Sequence, residues 1–294
     1  MIISIASGKG GTGKTTVAVN LALSLENENL QLLDCDVEEP NAHIFLNLTE
    51  KEVNPVYTTV PIFDKLRCNF CGECSRFCQF NAIFVIGKNP GKGVKGDVIH
   101  FPELCHGCMG CMLVCPRDAI SEGQRIIGEI AKGKGEEGID LVYGTLNIGE
   151  AMAVPLVRAV KREIRDEGTV IIDSPPGTSC PVIASVKDSD YCILVTEPTP
   201  FGLYDLKIAV KVLRKLEIPF GVVINRSGIG DRGVYDYCND EGIDILLEIP
   251  YLKEIAESYS KGIPFIKVIG NWQKQFLAIF ERIRSDYGVT KDLY

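Results

Sequence analysis

SGKGGTGKTT, residues 7–16, is the stretch of sequence that decides the fold of this chain. It follows a short apolar run at residues 2–6, and residues 17–25 carry apolar side chains at helical spacing. Residues 8–15 match the pattern G-x-x-x-x-G-K-[ST], which lies between a strand and a helix in folded proteins. The sequence therefore predicts a strand, a glycine-rich loop and a helix; the alternative is a glycine turn followed by a chance lysine.

The residue types of this loop suit a phosphate group. Glycines let several backbone N–H groups converge on a phosphate at the start of a helix. Lys14 is predicted to reach the β- and γ-phosphates of a nucleotide, and the Thr15 hydroxyl to bind Mg²⁺. The predicted nucleotide-binding residues of the loop are Gly8, Lys9, Gly10, Gly11, Thr12, Gly13, Lys14, Thr15 and Thr16.

An additional lysine, Lys9, makes the loop more specific. The string KGGTGKT at residues 9–15 resembles the deviant Walker A motif of the MinD/Mrp superfamily of P-loop ATPases, which includes ParA and the nitrogenase iron protein. The resemblance implies an α/β fold with a doubly wound, mostly parallel sheet of the SIMIBI type. It also implies ATP hydrolysis and a homodimer closed by ATP, in which Lys9 reaches the phosphates held by the other subunit, as an arginine finger does.

Acidic residues that follow apolar runs extend this resemblance. Asp34 and Asp36 follow the run at residues 31–33, and Asp173 follows residues 170–172 as a Walker B acid would. By resemblance, Asp36 orients the attacking water and completes the catalytic set with Lys9 and Lys14. Asp34 and Asp173 join Thr15 around the Mg²⁺ ion. Taken alone, each acid could equally be a satisfied strand end.

Two further segments match the family in order. Asp173, Pro176 and Gly177 correspond to its switch loop, in which the Gly177 N–H could sense the γ-phosphate. Asn225 and Arg226, at the end of an apolar run, match its adenine-reading loop. Pro250 is a further candidate contact to the base.

Eight of the twelve cysteines lie between positions 68 and 115. They form two runs with the same C-x2-C-x2-C-x3-C spacing, offset by a constant 37 positions, and NAI at residues 81–83 has its counterpart in DAI at 118–120. Gln79 departs from the repeat, because its counterpart is Pro116. The two runs are Cys68, Cys71, Cys74 and Cys78, and Cys105, Cys108, Cys111 and Cys115.

This duplication resembles the bacterial ferredoxin that holds two [4Fe–4S] clusters. In such ferredoxins the fourth cysteine of each run binds the other cluster. The resemblance therefore assigns Cys68, Cys71, Cys74 and Cys115 to cluster 1, and Cys78, Cys105, Cys108 and Cys111 to cluster 2. Structural zinc and a disulfide knot are the alternatives, and zinc sites usually pair C-x2-C with a distant second pair.

The remaining pattern predicts how the domains are arranged. Apolar runs at residues 141–146, 169–172, 191–196, 220–225 and 243–248 read as strands, and residues 151–167, 201–216 and 271–287 as helices. Such alternation favours a parallel sheet covered on both faces. Residues 56–62 and 125–130 read as strands that flank the cysteines. The prediction is a P-loop ATPase domain at 1–57 and 124–294, with an inserted α+β ferredoxin-like domain at 58–123.

Composition limits the partners. The 294 residues carry a formal net charge of -8, which argues against a broad basic field for nucleic acid or anionic membrane. The predicted helix at residues 272–287 has an apolar stripe on one side and both acidic and basic side chains on the other, so packing on the sheet is favoured over membrane contact. Without a recognisable leader or an apolar run long enough to span a bilayer, the expected location is the cytoplasm.

Cys180 lies seven residues after Asp173. In the nitrogenase iron protein a cysteine at the same distance from the Walker B acid holds a cluster between subunits. Cys180 is therefore a candidate dimer-interface metal ligand or reactive thiol, and a packed thiol is the alternative.

Three functions compete. The first is an ATP-binding and hydrolysing iron–sulfur protein whose dimer switch gates electron transfer from two [4Fe–4S] clusters to a partner protein. The second is an Mrp-like, ATP-dependent carrier or maturation factor that delivers an iron–sulfur cluster or metallocofactor to an apo-metalloprotein client. The third, a positioning ATPase on membrane or DNA, is disfavoured by the acidic charge and the cluster motifs.

Overall fold

The computed structural model describes residues 1–25, 29–88, 93, 95–135 and 138–287. These residues divide into two units. The large unit contains Met1–Asn54, Ile130–Thr145 and Leu156–Tyr294, and the small unit contains Pro55–Glu129 and Leu146–Pro155.

The strands in the described residues alternate with helices along most of the chain. The strands are β1 Ile2–Ala6, β2 Leu30–Asp34, β3 Thr49–Phe63, β4 Ile83–Ile86, β5 Asp97–His100, β6 Ile120–Lys134, β7 Asp140–Leu146, β8 Thr169–Asp173, β9 Tyr191–Thr196, β10 Phe220–Ser227 and β11 Ile245–Pro250. The α-helices are α1 Lys14–Ser24, α2 Ala42–Leu46, α3 Glu73–Phe77, α4 Gly110–Leu113, α5 Val154–Lys161, α6 Cys180–Val186, α7 Pro200–Lys215, α8 Gly233–Asp240, α9 Lys253–Ser260 and α10 Trp272–Tyr287.

The large unit is built on a mostly parallel sheet. Its strand order is β11-β10-β9-β1-β8-β2-β7, continued by parts of β6 and β3. β1 pairs in parallel with both β8 and β9, and β2 pairs in parallel with β8 and β7. The mostly parallel α/β sheet predicted from the sequence is therefore confirmed.

Both faces of this sheet are covered. Along β9, Ile193 and Val195 join one buried cluster, whereas Cys192 and Leu194 join another. Since successive side chains of a strand point to opposite faces, the two clusters lie on opposite sides of the sheet. The central strands are mostly apolar, as expected for a sheet buried on both sides, although Ser4 of β1 and Gln31 of β2 are buried polar side chains. Their carboxyl ends carry the polar residues predicted above.

Helix α10 belongs to one of these cores. Trp272, Phe276, Ile279, Phe280 and Ile283 are buried within the same cluster as Phe265. The amphipathic stripe predicted at the end of the chain thus packs inside the large unit. Across the residues that the structure describes, no helix combines the length and the apolar character needed to cross a bilayer.

We expect replacement of Phe276 by alanine to lower the free energy of unfolding by about 3–5 kcal/mol. The ring is 1% exposed and packs against Phe265 at a centroid distance of 6.0 Å. Urea unfolding followed by the fluorescence of Trp272 measures the change. The neighbouring Leu277 is 40% exposed, so Leu277→Ala should stay within about 0.5 kcal/mol of the parent. Equal losses in both variants would contradict the packing.

The small unit repeats its backbone conformation along with its sequence. Residues 37 positions apart share positive φ angles in three pairs: Phe70 and Gly107, Gly72 and Met109, and Asn81 and Asp118. The two halves also exchange equivalent hydrogen bonds. The Asp64 N–H donates to Ala119 O at 2.8 Å, and the Phe101 N–H donates to Ala82 O at 2.9 Å. The internal repeat in the sequence is therefore a structural repeat with a pseudo-two-fold relationship.

The boundaries of the inserted domain, after residues 57 and 123, stay a prediction, and the two compact units of the structure have bounds of their own. The units change at 54/55 and 129/130, and residues 146–155 belong to the small unit. Two contacts explain this segment: Arg125 forms a bidentate ion pair with Glu150, and the Asn147 N–H donates to Ile127 O at 2.9 Å.

Several elements have other bounds in the structure than in the prediction. The helix predicted at 151–167 is only α5, because the Arg165 N–H leaves the helical pattern to donate to Gln31 Oε1. The strand predicted from residue 243 begins at Ile245, since the Ile243 N–H closes the end of α8 on Cys238 O. The flanking strands predicted at 56–62 and 125–130 extend further, as β3 and β6.

Candidate functional site

The glycine-rich loop of the large unit connects β1 to α1, as predicted. Gly13 ends the loop with φ +97°, and a Cβ there would lie 2.4 Å from Asn225 Nδ2, so only glycine fits. Lys14 and Thr15, the first residues of α1, are buried, whereas Gly10 and Gly11 are exposed. The loop thus presents an open backbone above a buried lysine at the carboxyl ends of the strands, where open α/β sheets bind ligands.

Two acids end adjacent strands beside this loop. Asp34 of β2 and Asp173 of β8 are register partners, and both are fully buried. The Thr15 hydroxyl donates to Asp173 Oδ2 at 2.5 Å. The other oxygen, Asp173 Oδ1, is buried and has no hydrogen-bond partner among the described residues. Buried polar atoms normally have a hydrogen-bond partner, and a bound ion or water would supply one to this oxygen.

Asp34 organises the loop that carries Asp36. Its Oδ1 accepts the Asp36 N–H at 3.0 Å, and its Oδ2 accepts the N–H groups of Asn41 and Ala42 at 2.9 and 3.0 Å. Both carboxylate oxygens are therefore engaged with backbone. This arrangement fixes the start of the loop and leaves the partly buried Asp36 side chain as the more accessible of the two acids.

The three carboxyl groups share one electrostatic environment. Burial raises the pKa of Asp34 to about 6, against the opposing effect of three backbone N–H groups and Lys14. Burial, followed by the charge of Asp34, raises the pKa of Asp36 to about 7 and that of Asp173 well above its usual range. A cation placed among these acids would stabilise all three in their charged form.

The donors in this corner fit Mg²⁺. Thr15 Oγ1 and the carboxylates of Asp34 and Asp173 are hard oxygen donors, the kind that Mg²⁺ prefers, and Asp173 Oδ1 is unpaired. Because Asp34 already accepts three backbone N–H groups, an outer contact suits it better than direct ligation. Thr15 and Asp173 are the residues that could face the ion directly.

The switch loop after β8 lies against the glycine-rich loop. The Gly177 N–H donates to Ser7 O at 3.1 Å, and Gly177 itself has φ +93°. Pro176 approaches Gly10, where an added Cβ would lie 3.9 Å from the Pro176 Cβ. Residues predicted as one functional segment are thus brought to the loop by the parallel pairing of β1 and β8.

The predicted base-reading residues lie at the ends of two strands, Asn225 and Arg226 on β10 and Pro250 on β11. Asn225 Nδ2 donates to Thr12 O at 2.7 Å, so β10 supplies a residue that contacts the loop directly. Arg226 has φ +54°, and its guanidinium lies 2.9 Å from the Glu197 carboxylate. Pro250 lies opposite Ser227 at the end of β11, one strand further along the sheet.

Sequence reasoning missed Glu197, which binds the additional lysine. The Lys9 ammonium forms an ion pair with Glu197 Oε1, while Arg226 binds Glu197 Oε2. The Glu197 side chain is 9% exposed. Glu197 directly follows the buried strand β9, just as Asp173 ends the buried strand β8. The sequence alone does not place β9 beside β1, so it does not reveal that Glu197 meets Lys9.

In the small unit, one set of predicted ligands lines a cavity. The cavity is open to solvent and is lined by Cys68, Cys71, Cys74 and Cys115, together with apolar residues such as Phe63 and Ile120 and the polar Asn69 and Glu73. Burial raises the pKa of Cys74, and the neighbouring charges of Cys68, Cys115 and Cys71 raise it further. The structure therefore brings together the three cysteines of the first run and the last cysteine of the second.

The other four cysteines form a second group. Burial raises the pKa of Cys105, and Cys108 and Cys78 add to this effect. Burial also raises the pKa of Cys111 to about 11, with contributions from Cys105, Cys74 and Cys108. Cys74 and Cys111, equivalent residues of the two repeats, are both buried in the core of the small unit, so the two groups adjoin.

The first group fits an iron–sulfur cluster on the chemistry of its donors. Four thiols line one cavity, and a [4Fe–4S] cluster is held by four thiolates, one on each iron. In the described residues, no group of three or more His, Cys, Asp or Glu side chains has an arrangement that could hold a single metal ion. The Phe70 N–H donates to Cys68 Sγ at 3.3 Å, and the Ala119 N–H donates to Cys115 Sγ at 3.4 Å, contacts of the kind that tune cluster potential.

Cys180 lies apart from these groups. It is exposed and begins α6, directly after the switch loop. Cys35, Cys192 and Cys238 are buried in the large unit, where each packs as a small apolar residue.

Comparison with known proteins agrees with this architecture. Residues 3–265 match the family model of the CobQ/CobB/MinD/ParA nucleotide-binding domain. The chain resembles MinD, the septum site-determining protein of Pyrococcus horikoshii, solved with Mg-ADP, with a TM-score of 0.58 at 19% identity over 99% of both chains. That likeness supports the fold.

Three of the sequence relatives come from Methanocaldococcus jannaschii. An uncharacterised protein is 33% identical over 91% of this chain and 92% of its own length. An iron-sulfur cluster carrier protein is 26% identical over 96% of this chain and 83% of its own length. Because the family model covers most of its length, this chain belongs to the CobQ/CobB/MinD/ParA family of nucleotide-binding domains.

Proposed function

We propose that this protein is an ATP-dependent carrier or maturation factor that delivers an iron–sulfur cluster or related metallocofactor to an apo-metalloprotein. The observation that carries the proposal is the alignment, over nearly the whole chain, with proteins named iron-sulfur cluster carrier. The cysteine groups of the small unit support it, because they provide a second, thiol-based site in the same chain.

In this proposal ATP binds at the glycine-rich loop and is hydrolysed there. Lys14 contacts the phosphates, Thr15 and Asp173 hold Mg²⁺, and Asp36 orients the attacking water. The metal ion supplies charge neutralisation to the phosphates. Asn225 and Arg226, with Pro250 further out, contact the base, and Asp173, Pro176 and Gly177 respond to the γ-phosphate.

Closure of two chains around ATP is part of the same proposal. Lys9 would cross to the phosphates held by the other subunit, so hydrolysis requires a homodimer. Closure and reopening then time the uptake and release of the cargo. The protein would act in the cytoplasm, on a protein client rather than on nucleic acid or membrane.

The small unit is proposed as an inserted ferredoxin-like domain with two resident [4Fe–4S] clusters. Cys68, Cys71, Cys74 and Cys115 would hold cluster 1, and Cys78, Cys105, Cys108 and Cys111 would hold cluster 2. The grouping of the thiols around a cavity, and the crossing of the fourth cysteine between repeats, support this assignment. When bound, the clusters supply electrons one at a time.

Cys180 is the candidate ligand for the cargo, by analogy with the nitrogenase iron protein. We expect Cys180→Ala to abolish transfer of a cluster to an apo-ferredoxin because the exposed thiol would be lost, while the visible absorption of the resident clusters remains. Anaerobic transfer, followed by the circular dichroism of the acceptor, measures this. The adjacent Ser179→Ala is the matched control. Unimpaired transfer by Cys180→Ala would remove this residue from the carrier role.

A second function, ATP-gated electron transfer from the clusters to a partner protein, is favoured by one observation. The cysteine unit repeats its backbone conformation and its hydrogen bonds in two halves, as the resemblance to a two-cluster ferredoxin implies. Reduced protein is mixed with a one-electron acceptor, with and without hydrolysable ATP. Equal rates of electron transfer would discard the gating, and a rate that depends on ATP would favour it over delivery.

A further inference from the structure

We propose that Glu197 is the positioning residue for Lys9: it holds the lysine within its own subunit until nucleotide-driven closure draws it away. This inference rests on the proposed role of Lys9 in the closed dimer. It concerns three side chains at the carboxyl ends of three neighbouring strands of the large unit. Lys9 follows β1, Glu197 follows β9 and Arg226 lies near the end of β10.

The carboxylate of Glu197 binds two cations at once. Lys9 contacts Oε1, and Arg226 lies 2.9 Å from Oε2. The Glu197 side chain is 9% exposed, whereas the Lys9 side chain is 31% exposed. Each oxygen of the shielded acid has its own partner. The lysine is therefore oriented by its neighbour within the subunit and does not extend freely into solvent.

The acid is fixed by the backbone around it. The Thr199 N–H donates to Glu197 O at 2.8 Å, and the Asp231 N–H donates to Pro198 O at 3.1 Å. Thr199 also caps α7, since its Oγ1 accepts the Gly202 N–H at 3.0 Å. A Cβ on Gly202 would lie 2.1 Å from Glu197 O, so this turn packs without space for adjustment. Of the two partners in the ion pair, the lysine is the one that can move.

The ion pair between Glu197 and Arg226 remains when Lys9 moves away. If Lys9 leaves Glu197, Arg226 still neutralises the shielded carboxylate, and the cost of an uncompensated buried charge is avoided. A lone Lys–Glu pair with the same burial would hold the lysine more firmly. The second cation therefore makes the contact releasable, and phosphate charge entering the loop is the competing attraction for Lys9.

The same acid connects the base-reading loop to the lysine. The Arg226 N–H donates to Asn225 Oδ1 at 2.9 Å, and Asn225 contacts the glycine-rich loop through Thr12. Glu197 thus lies between the two regions of the site that have to respond to the same nucleotide.

The first test measures the contact itself, without nucleotide. Purified protein is treated with a trace of an amine-acylating reagent, and the labelling rate of Lys9 is read by peptide mass spectrometry. We expect Glu197→Gln to raise the rate by about threefold or more, because the ammonium loses its acidic partner. Glu241→Gln, which removes an exposed acid paired with Arg214, is the matched control and should leave the Lys9 rate unchanged. An unchanged Lys9 rate in Glu197→Gln overturns the proposal.

The second test measures closure. Sedimentation or light scattering at increasing ATP concentration gives the midpoint of dimerisation, and we expect Glu197→Gln to lower it by about fivefold. ATP affinity is measured in parallel in Lys9→Ala, where adding Glu197→Gln should change nothing, because the acid acts through the lysine. Two outcomes overturn the positioning role of Glu197. One is a change in ATP affinity when Glu197→Gln is added to Lys9→Ala, and the other is an unchanged or higher ATP midpoint of dimerisation in Glu197→Gln.

Two features keep the result interpretable. Glu197→Asp retains the charge but shortens the side chain by one methylene, so it should also free Lys9 even if Glu197→Gln folds poorly. If the unmodified protein never dimerises with ATP, the proposed dimer switch fails. The labelling experiment still decides whether Glu197 holds Lys9.

Discussion

Replacing Lys14 with alanine should weaken ATP binding by at least about a hundredfold. The ammonium is buried at the start of α1, among Asp34, Asp36 and Asp173, whose carboxyl pKa values it lowers against the larger effect of burial. Phosphate oxygens entering the loop would meet this one buried cation, and contacts between charged groups in such a position are among the strongest in a site. Equilibrium binding of a fluorescent ATP analogue measures the loss.

Two controls separate binding from folding in this experiment. Lys215→Ala removes an exposed lysine at the end of α7 and should bind ATP as the parent does. Lys14→Met retains the apolar stem, so it should keep the packing of α1 and still lose the nucleotide. A Lys14→Met protein that binds ATP normally would show that the loop does not use this lysine.

The second large effect concerns the cysteines. Cys78→Ser should lower the iron content of the anaerobically reconstituted protein from about eight atoms per chain to about four. Adding Cys105→Ser should remove no more iron, because both residues are assigned to cluster 2. Adding Cys115→Ser instead should remove the rest, since Cys115 belongs to the other group. Iron and sulfide analysis, together with the visible absorption of each variant, gives the count.

This comparison discriminates between two pairings of the same residues. If each run held its own cluster, Cys78→Ser with Cys105→Ser would lose all the iron, and Cys78→Ser with Cys115→Ser would do the same. Cys238→Ala removes a buried thiol from the large unit and should retain the full content. A chain that binds no iron after reconstitution would contradict the resident clusters altogether.

Local sequence signals predicted much of the nucleotide site. Gly13, Lys14 and Thr15 are linked by a turn and one helix start, and Asp34 and Asp173 each end a strand whose apolar character is visible in the chain. The parallel pairing that unites them follows from the alternation of strands and helices. Their roles in hydrolysis stay predictions, as do the boundaries of the inserted domain.

The features that escaped prediction depend on which strands become neighbours. Glu197 meets Lys9 because β9 lies beside β1, although the two residues are 188 positions apart. Residues 146–155 join the small unit because Arg125 reaches Glu150 across 25 positions. Neither pairing leaves a periodic or spacing signal, so only the assembled structure reveals it. The cysteine repeat, by contrast, carries its partner within the sequence as a second copy.

The reciprocal hydrogen bonds of the small unit, Asp64 to Ala119 and Phe101 to Ala82, have a consequence for assembly. Each half donates to the other's backbone and, in the proposed ligand set, also lends it a thiolate. Neither half then holds its cluster alone, and insertion of one [4Fe–4S] cluster orders the residues that bind the other. We therefore expect the parent chain to take up its clusters cooperatively when iron is limiting, with fewer half-loaded chains than independent filling would give, whereas excess iron still fills cluster 1 of Cys78→Ser.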